Sequence, residues 1–311
     1  MAETPSATGL RVSVVTAVRG NSGCLPGLLR ALAAQNLEGG LEVVLVDNHP
    51  RPVLTRRSFH QPGLDLRVVH EAQPGLSRAR NRGLAHASGD ITLITDPDTR
   101  PRPTWAAALV HAMATTGADV AGGRAEPRFT GPDHHRPVSP ELLQWFVPPH
   151  WPAATTALRA PYWVIGCNLA LRRSAGFTFD TRLGVRGRRH LSCEELELTI
   201  RAQRDGHHVI LVPDAVVDRA IHRRDLRPPA VGARAFWHGV SIARLLQLHP
   251  DADIYDSARL RDALAWARLK HITAHPAVLT DLARLSGFRL EQLRHTASRR
   301  RRGLNQEPAH A

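Results

Sequence analysis

The first half of the chain alternates short apolar runs with segments whose apolar residues recur at helical spacing. Four runs have the length and composition of buried strands, at residues 12–18, 41–46, 66–70 and 91–95. Two segments between them have the spacing of helices, at residues 25–34 and 76–87. Strands that alternate with helices form parallel sheets covered by helices on both faces. The pattern therefore predicts an α/β fold with a mostly parallel sheet.

The pattern becomes less regular in the second half of the chain. Residues 122–162 are rich in Pro, Gly, His and Trp, and a connection of this length is typical of a binding loop or lid. Regular structure is predicted to resume at 163–171. A helix at 194–204 and a strand at 209–212 follow.

The C-terminal part of the chain is predicted to be helical. Three segments have an amphipathic pattern, at residues 236–248, 257–271 and 280–295. Ser257 and Thr280 are the residue types that commonly cap the first turn of a helix, so they are expected as N-caps.

The charge of the chain points to an anionic partner. The 311 residues include 41 Lys and Arg against 28 Asp and Glu, a formal net charge of +13. Lys270 is the only lysine, and this Arg usage is typical of a GC-rich genome, so part of the charge reflects codon bias. Hydrophobic residues at 42% and charged residues at 22% exclude a disordered, collagen-like or coiled-coil protein.

Cysteine usage and hydropathy indicate a cytoplasmic protein. Cys24, Cys167 and Cys193 lie far apart without C-x-x-C spacing, which argues against a disulfide framework or a zinc site. The first residues lack the basic and apolar regions of a secretory signal. No apolar run reaches the ~18 residues of a membrane span. We therefore expect any membrane contact to be peripheral, at the inner surface.

Carboxylates follow two of the predicted strands. Asp47 comes after the second strand, and Asp96 and Asp98 come after the fourth. Ligands of open parallel sheets bind beyond the carboxyl ends of the strands. Pro97 fixes its own φ between the two carboxylates, and such a pair suits Mg²⁺ or Mn²⁺. Taken alone, the tripeptide Asp96-Pro97-Asp98 is more typical of a solvated turn than of a metal site.

Eight segments follow one another in an order and spacing that resembles family 2 glycosyltransferases of the GT-A fold. They read VSVVTAVRGN, VVLVDNHP, PGLSRARNRGLAHASGD, ITLITDPDT, AGGRAEPRF, WVIGCNLALRRS, SCEELELTIRAQRDGHHVILVPDAVV and IHRRDL. The resemblance covers residues 11 to about 245. It implies a Rossmann-like mixed, mostly parallel sheet flanked by helices, with a C-terminal helical extension.

The resemblance also implies a division of the chain. A flexible N-terminus at 1–10 precedes a GT-A catalytic domain at 11–228, in which 11–121 would bind the nucleotide and 122–228 the acceptor. A helical region and a basic, polar tail would follow, at 229–298 and 299–311.

Roles of individual residues follow from the same resemblance. The residues expected to contact the nucleotide or donor sugar are Thr16, Asp47, Arg80, Asn81, Asp96, Gly166 and Asn168. Arg19 joins them because a guanidinium suits a diphosphate. The residues expected to contact a metal are Asp96, Asp98 and His222.

The acidic residue expected to act as general base is Glu195. Where relatives have Gly-Glu-Asp, this chain has Cys193-Glu194-Glu195. Glu reaches one methylene further than Asp, so either the acceptor lies slightly further away or Glu194 shares the task. A side chain at Cys193 is expected to restrict the loop.

The implied reaction is a metal-dependent transfer of sugar from a UDP-, dTDP- or GDP-sugar to a hydroxyl or an amine. A cation neutralises the leaving diphosphate, and a single carboxylate base with in-line attack gives inversion. The acceptor stays open between a small natural product, a polyprenyl-linked glycan and a polysaccharide.

Two other functions compete with glycosyl transfer. A nucleotidyltransferase acting on sugar phosphates also uses a parallel sheet and metal-bound carboxylates, but VTAVRGNSG is a poor phosphate-binding loop. A nucleic-acid-binding protein would use the net charge, yet no zinc finger, RRM or helix-turn-helix pattern accompanies it. We therefore expect no nucleic-acid partner.

Overall fold

A computed structural model gives the fold of the protein. It describes residues 9–19, 22–54, 61–132, 134–148, 150–159, 162–252 and 276–304. The strands of the described residues are β1 Val12–Val18, β2 Glu42–Asp47, β3 Asp65–His70, β4 Ile91–Thr95, β5 Thr99–Pro101, β6 Val120–Thr130, β7 Thr156–Ala157, β8 Asn168–Arg172 and β9 Val209–His222. The helices are α1 Leu25–Ala33, α2 Leu76–His86, α3 Trp105–Thr116, α4 Pro140–Leu143, α5 Glu194–Arg204, α6 Pro228–Leu248 and α7 Pro276–Leu304.

All these strands join one mixed sheet in the order β3-β2-β1-β4-β8-β6-β9-β5, with β7 paired to β9. Strands β1 to β4 are parallel to one another. Strand β8 enters antiparallel between β4 and β6, and β6 and β9 are parallel to each other. The carboxyl ends of β1, β2 and β4 therefore meet at one edge of the sheet, as the sequence predicts.

Helices on both faces bury the apolar residues of the sheet. Strand β1 is almost wholly buried, because one face shares a hydrophobic cluster with α1 and the other contacts α2. Gly83 of α2 lies so close to Val15 that a Cβ there would overlap the valine side chain. Strands β1, β2 and β4 read as continuous apolar runs because both of their sides are covered. None of the described helices has the length and hydropathy to span a membrane.

Several predictions for the second half of the chain were wrong. Residues 122–130, predicted as part of an irregular loop, belong to strand β6. Strand β9 runs to His222 rather than ending at 212. Thr280 lies inside α7 and is not an N-cap, and α7 continues to Leu304 through the start of the predicted tail. The predicted helix at 257–271, with Ser257, lies outside the described residues.

Helix α3 was not predicted from the sequence. Its buried residues include Trp105, Leu109, Val110 and Met113, and they occupy several sides of the helix. Apolar residues around most of a helix leave little amphipathic contrast. The Trp105 indole is nevertheless placed specifically, because its Nε1 donates to Asn168 Oδ1 at 2.8 Å.

Helices α6 and α7 cross at two glycines. A Cβ at Gly239 would overlap the carbonyl oxygen of Arg284, and a Cβ at Gly287 would overlap that of Phe236. Because both obstacles are backbone atoms, they cannot move aside as a side chain could. The two helices are therefore in backbone contact at this point.

Replacing Gly239 by alanine is expected to lower the free energy of unfolding by about 1–3 kcal/mol, the usual cost of overpacking. Gly232→Ala is the matched control, because nothing lies within 4 Å of a Cβ built there on the same helix. Alanine at that position is expected to be neutral or slightly stabilising. Urea unfolding measures both variants, and equal stabilities would contradict the close crossing.

Candidate active site

A buried arginine joins two acidic segments at the carboxyl edge of the sheet. Arg80 of α2 is 2% exposed. Its Nη1 donates to Glu194 Oε1 at 2.8 Å, and its Nη2 donates to Asp96 Oδ1 at 3.1 Å and to the Gly166 carbonyl at 2.8 Å. Burial alone would lower the pKa of Arg80, but Asp96 and Glu194 raise it. Arg80 therefore holds the turn after β4 against the first turn of α5.

Lysine at position 80 is expected to keep the charge and lose the bridge, because one ammonium cannot reach three acceptors with the geometry of a guanidinium. We expect Arg80→Lys to lower the free energy of unfolding by about 1–3 kcal/mol. Arg82→Lys, at an exposed position of the same helix, is the control and should have no effect. A denaturant midpoint unchanged by Arg80→Lys would show that the bridge does not stabilise the fold.

The turn before α5 has an unusual backbone. Cys193 has a φ of 70°, the one non-glycine residue with positive φ in the described parts of the chain. That conformation favours glycine. The side chain that the sequence analysis expects to restrict this loop is therefore attached to a residue in the left-handed region. Its carbonyl accepts the Glu197 N–H at 2.9 Å. The turn thus starts α5 with Glu194 and Glu195 in its first turn.

Glu195 has the properties of a general base with a raised pKa. Burial raises its pKa to about 8, with a further rise from the Glu194 carboxylate that Arg80 partly opposes. Its Oε2 is buried and has no hydrogen-bond partner among the described residues. A carboxylate with a raised pKa and a free oxygen can take a proton from a hydroxyl group.

Asp98 is the second carboxylate with a raised pKa. Burial is the largest cause, and the nearby Asp96 adds to it while Arg219 acts in the opposite direction. Its Oδ1 is buried and makes no hydrogen bond within the described ranges. Since an unpaired buried carboxylate oxygen is costly, this atom is a candidate for binding a ligand.

Two arginines beside Asp98 were missed by the sequence analysis. Arg219 of β9 pairs in register with Thr99, and its Nη1 donates to the Phe146 carbonyl at 2.8 Å. The Arg234 guanidinium of α6 lies 4.5 Å from the centroid of the Phe146 ring. The predicted end of β9 at 212 hid Arg219, and no motif marks Arg234.

The positive charge of Arg219 repels that of Arg234. Burial would lower the pKa of Arg219, but the acidic groups around it, first Cys167 and then Asp98, raise it. Burial lowers the pKa of Arg234 to about 10, and repulsion from Arg219 contributes. Two cations held this close suit an anion with more than one charge.

A divalent metal fits this edge of the sheet only if the substrate supplies most of its ligands. The described residues contain no group of three or more His, Cys, Asp or Glu that could hold a metal ion. His222 accepts the Arg224 N–H through Nδ1 at 3.2 Å. Mg²⁺ and Mn²⁺ sites often use one or two carboxylates plus phosphate and water oxygens, so the free Oδ1 of Asp98 meets that requirement.

Three of the predicted donor-binding residues form hydrogen bonds inside the protein with their polar side-chain atoms. They are Asp47, Asn81 and Asn168. Asp47 is 1% exposed, and its Oδ2 accepts the Val53 and Leu54 N–H groups at 2.6 and 2.8 Å. Burial tends to raise the pKa of Asp47, but these hydrogen bonds lower it. Asn81 exchanges two hydrogen bonds with the Phe179 backbone.

Asn168 is fully buried and donates to the Arg124 and Ala215 carbonyls, both at 2.8 Å. Thr16 is also fully buried, and its Oγ1 has no partner in the described parts of the chain. Arg19 is exposed at the end of β1. The structure thus brings Arg80, Asp96, Asp98, Gly166, Glu194 and Glu195 to one place, while Asn81 and Asn168 brace the fold around it.

The sequence matches the family model of glycosyl transferase family 2 over residues 13–175. The chain belongs to this family.

Two curated relatives come from Haloferax volcanii. A glucosyl-dolichyl phosphate glucuronosyltransferase is 24% identical over 261 residues, which cover 80% of this chain and 82% of the relative. The glycosyltransferase AglE is 29% identical over 127 residues, which cover 39% of this chain and 41% of the relative.

Solved glycosyltransferases share the fold of this family 2 member. The mannosyltransferase PcManGT from Pyrobaculum calidifontis, in complex with GDP-Man and Mn²⁺, has a TM-score of 0.53 at 19% identity, with 94% of this chain and 77% of that chain covered. TarS 1-349 from S. aureus, in complex with UDP-GlcNAc, has a TM-score of 0.51 at 12% identity, with 93% and 92% covered. The protein therefore has the GT-A fold that its sequence motifs imply.

Proposed function

We propose that the protein transfers a sugar from a nucleotide diphosphate sugar to an acceptor hydroxyl, with inversion and with a divalent metal. The observation that carries this proposal is the Arg80 bridge, which holds the acidic turn after β4 against the acidic start of α5. One group of carboxylates would serve the diphosphate and the other the acceptor. Family membership favours this reaction over nucleotidyl transfer.

The diphosphate end of the site rests on Asp98. Its free Oδ1 would hold Mn²⁺ or Mg²⁺, with Asp96 close by, and a metal bound there would supply positive charge for the leaving diphosphate. The guanidinium groups of Arg219 and Arg234 add fixed positive charge beside Asp98. GDP-Man and Mn²⁺ bound to PcManGT support a metal-assisted donor site here.

The acceptor end of the site rests on Glu195. Above its raised pKa of about 8 the carboxylate is ionised, so it can accept the proton of the attacking hydroxyl or amine at Oε2. Attack on the face opposite to the leaving diphosphate inverts the anomeric carbon. Glu194 also has a buried Oε2 without a partner among the described residues, but it is the weaker candidate because its Oε1 is bound by the Arg80 guanidinium.

The proposed acceptor is a polyprenyl-linked glycan at a membrane surface. Its support is the relative named as a glucosyl-dolichyl phosphate glucuronosyltransferase, which matches most of both chains. A peripheral position at the inner face of the membrane accords with this acceptor. A small natural product and a polysaccharide are the alternatives that acceptor assays distinguish.

The test is turnover of UDP-, dTDP- and GDP-sugars with Mn²⁺, with Mg²⁺ and with EDTA. We expect one donor class to release nucleoside diphosphate, faster with a polyprenyl-phosphate sugar present, and EDTA to stop the release. The anomeric configuration of the product, read by NMR, tests inversion. Release of pyrophosphate would favour the nucleotidyltransferase, and full activity in EDTA would contradict the metal.

A further inference from the structure

Helix α7 has two faces of opposite character. Its inner side packs on α6 through buried residues that include Arg284 and Leu285. Its outer side carries four exposed leucines, with 48% exposure at Leu279, 42% at Leu282, 37% at Leu290 and 69% at Leu293. Residues in a helix advance by about 100° each, so these leucines form one stripe along the helix. Among the described residues, most of the exposed large apolar side chains belong to this stripe.

The stripe is bordered by positive charge. Arg289 and Arg294 are exposed on α7, and the helix continues through the arginines at 299–302. Its two acidic residues are already paired, Asp281 with Arg284 and Glu291 with Arg244 and Arg294. The free charge of this surface is therefore positive.

A lipid bilayer with anionic headgroups matches both features. Helices that lie on membranes combine leucines on one side with arginines beside them, whose stems follow the apolar surface while their charge reaches phosphate groups. A second copy of the chain matches less well, because pairing the stripes would bring Arg289 and Arg294 of each copy towards those of the other. A groove of about 510 Å³ between α6 and α7, lined in part by Phe288 and Leu293, extends the apolar surface.

We propose that the outer face of α7 docks the protein on anionic membranes. The leucine stripe enters the boundary between headgroups and acyl chains, and Arg289 and Arg294 contact lipid phosphates. No residue of the proposed donor site takes part in this contact.

A chain of contacts links this surface to the candidate active site. The Arg284 guanidinium of α7 lies 5.9 Å from the Trp145 ring centroid. The adjacent Phe146 contacts both Arg219 and Arg234, the arginines beside Asp98. These contacts connect α7 with the elements around Asp98, so docking through α7 would hold the candidate site near the membrane that carries a lipid-linked acceptor. This last step rests on the proposed function, whereas membrane binding itself does not.

Cosedimentation with vesicles tests the proposal. The full chain is mixed with vesicles of phosphatidylcholine alone or of phosphatidylcholine with phosphatidylglycerol. We expect binding to the anionic vesicles that weakens with salt, and little binding to the neutral ones. Leu293→Glu should weaken binding at least tenfold. Val185→Glu, a change at an exposed apolar residue outside α7, should leave it unchanged.

A second variant separates charge from apolar insertion. Arg289→Gln with Arg294→Gln should weaken binding to anionic vesicles and reduce its dependence on salt. Absence of binding to anionic vesicles, or equal binding by Leu293→Glu, would overturn the proposal. So would a dimer that Leu293→Glu dissociates, which would assign the stripe to a second copy. A lower thermal midpoint of Leu293→Glu without vesicles would instead mean that the chain itself covers the stripe.

Release of nucleoside diphosphate from a soluble donor distinguishes this proposal from the proposed function. All these variants should retain that release without vesicles, because they lie outside the proposed donor site. Turnover without membrane binding would overturn the docking surface alone. Membrane binding without turnover of any donor would overturn the proposed function and leave the docking surface in place.

Discussion

Replacing Glu195 by glutamine is expected to lower kcat by about 10²–10⁴-fold, the usual contribution of a general base. Glutamine keeps the size of the side chain and cannot accept the acceptor proton. The donor KM should change little, because the Arg80 bridge to Asp96 and Glu194 is retained. Steady-state release of nucleoside diphosphate with a saturating acceptor measures the change.

The pH profile provides a second readout of the same residue. Because burial raises the pKa of Glu195 to about 8, kcat/KM of the wild type should rise with pH and level off above that value. The glutamine variant should lose this rise. A profile that keeps its inflection near pH 8 in the variant would assign the inflection to another group.

The free energy of unfolding should fall with rising pH, whereas kcat/KM should rise. The pKa of Glu195 rises from an ordinary 4.5 to about 8 on folding, so the folded state retains a proton that the unfolded state releases between these values. The free energy of unfolding therefore falls as pH increases across that window. Glu195→Gln removes this loss and should be more stable than the wild type at the alkaline end, as thermal midpoints across the range will show.

Glu194→Gln is the comparison that separates the two neighbouring acids. It removes a carboxylate that pairs with the buried Arg80, so we expect a clear loss of stability and a smaller loss of kcat than in Glu195→Gln. The reverse order of the two kcat losses would assign the base to Glu194.

Strands β1, β2 and β4 were predictable because they are covered on both faces and read as uninterrupted apolar runs. Strand β6 was not, because Gly122, Gly123 and Pro127 are poor strand formers. The glycines are required there by crowding, since a Cβ at Gly123 would overlap the Asn168 amide and the Ala215 carbonyl. Only the folded neighbours reveal that requirement.

Strand β9 was cut short for a related reason. Pro213 and Asp214 interrupt its apolar run, and the structure accommodates them in a bulge where the partners of Gly123 and Arg124 on β9 are Val212 and Val216. A bulge inserts residues without ending the strand. Sequence periodicity cannot distinguish such an insertion from a turn.

The acidic part of the site could be anticipated, and the groups around it could not. Asp96 and Asp98 stand out because they follow a strand, whereas Arg80 and Glu194 are 114 positions apart and were linked only through the family motifs. The sequence did not reveal the structural role of Asn168, because an asparagine that binds a sugar and one that stabilises a core look the same in sequence. The structure shows its amide bound to Arg124, Ala215 and Trp105.

Asp98→Asn is expected to lower donor turnover by about 10³-fold at saturating Mn²⁺, because charge stabilisation of a leaving diphosphate is worth several kcal/mol. Asparagine keeps the shape of the side chain but loses the charge that makes Oδ1 a strong ligand for a hard cation. The variant should stay folded, since burial already disfavours the ionised form of Asp98 and raises its pKa. Nucleoside diphosphate release across a Mn²⁺ titration measures the loss, with the thermal midpoint as the check on folding.

Asp90→Asn is the matched control, because Asp90 precedes the same strand at its amino end and pairs with Arg11 at the surface. Loss of an exposed ion pair has little effect on stability, and this end of β4 lies away from the candidate site. Turnover should therefore match the wild type. If Asp98→Asn retained wild-type turnover at every Mn²⁺ concentration, Asp98 would not be the metal ligand, and the positive charges of Arg219 and Arg234 would be the remaining explanation for a carboxylate buried there.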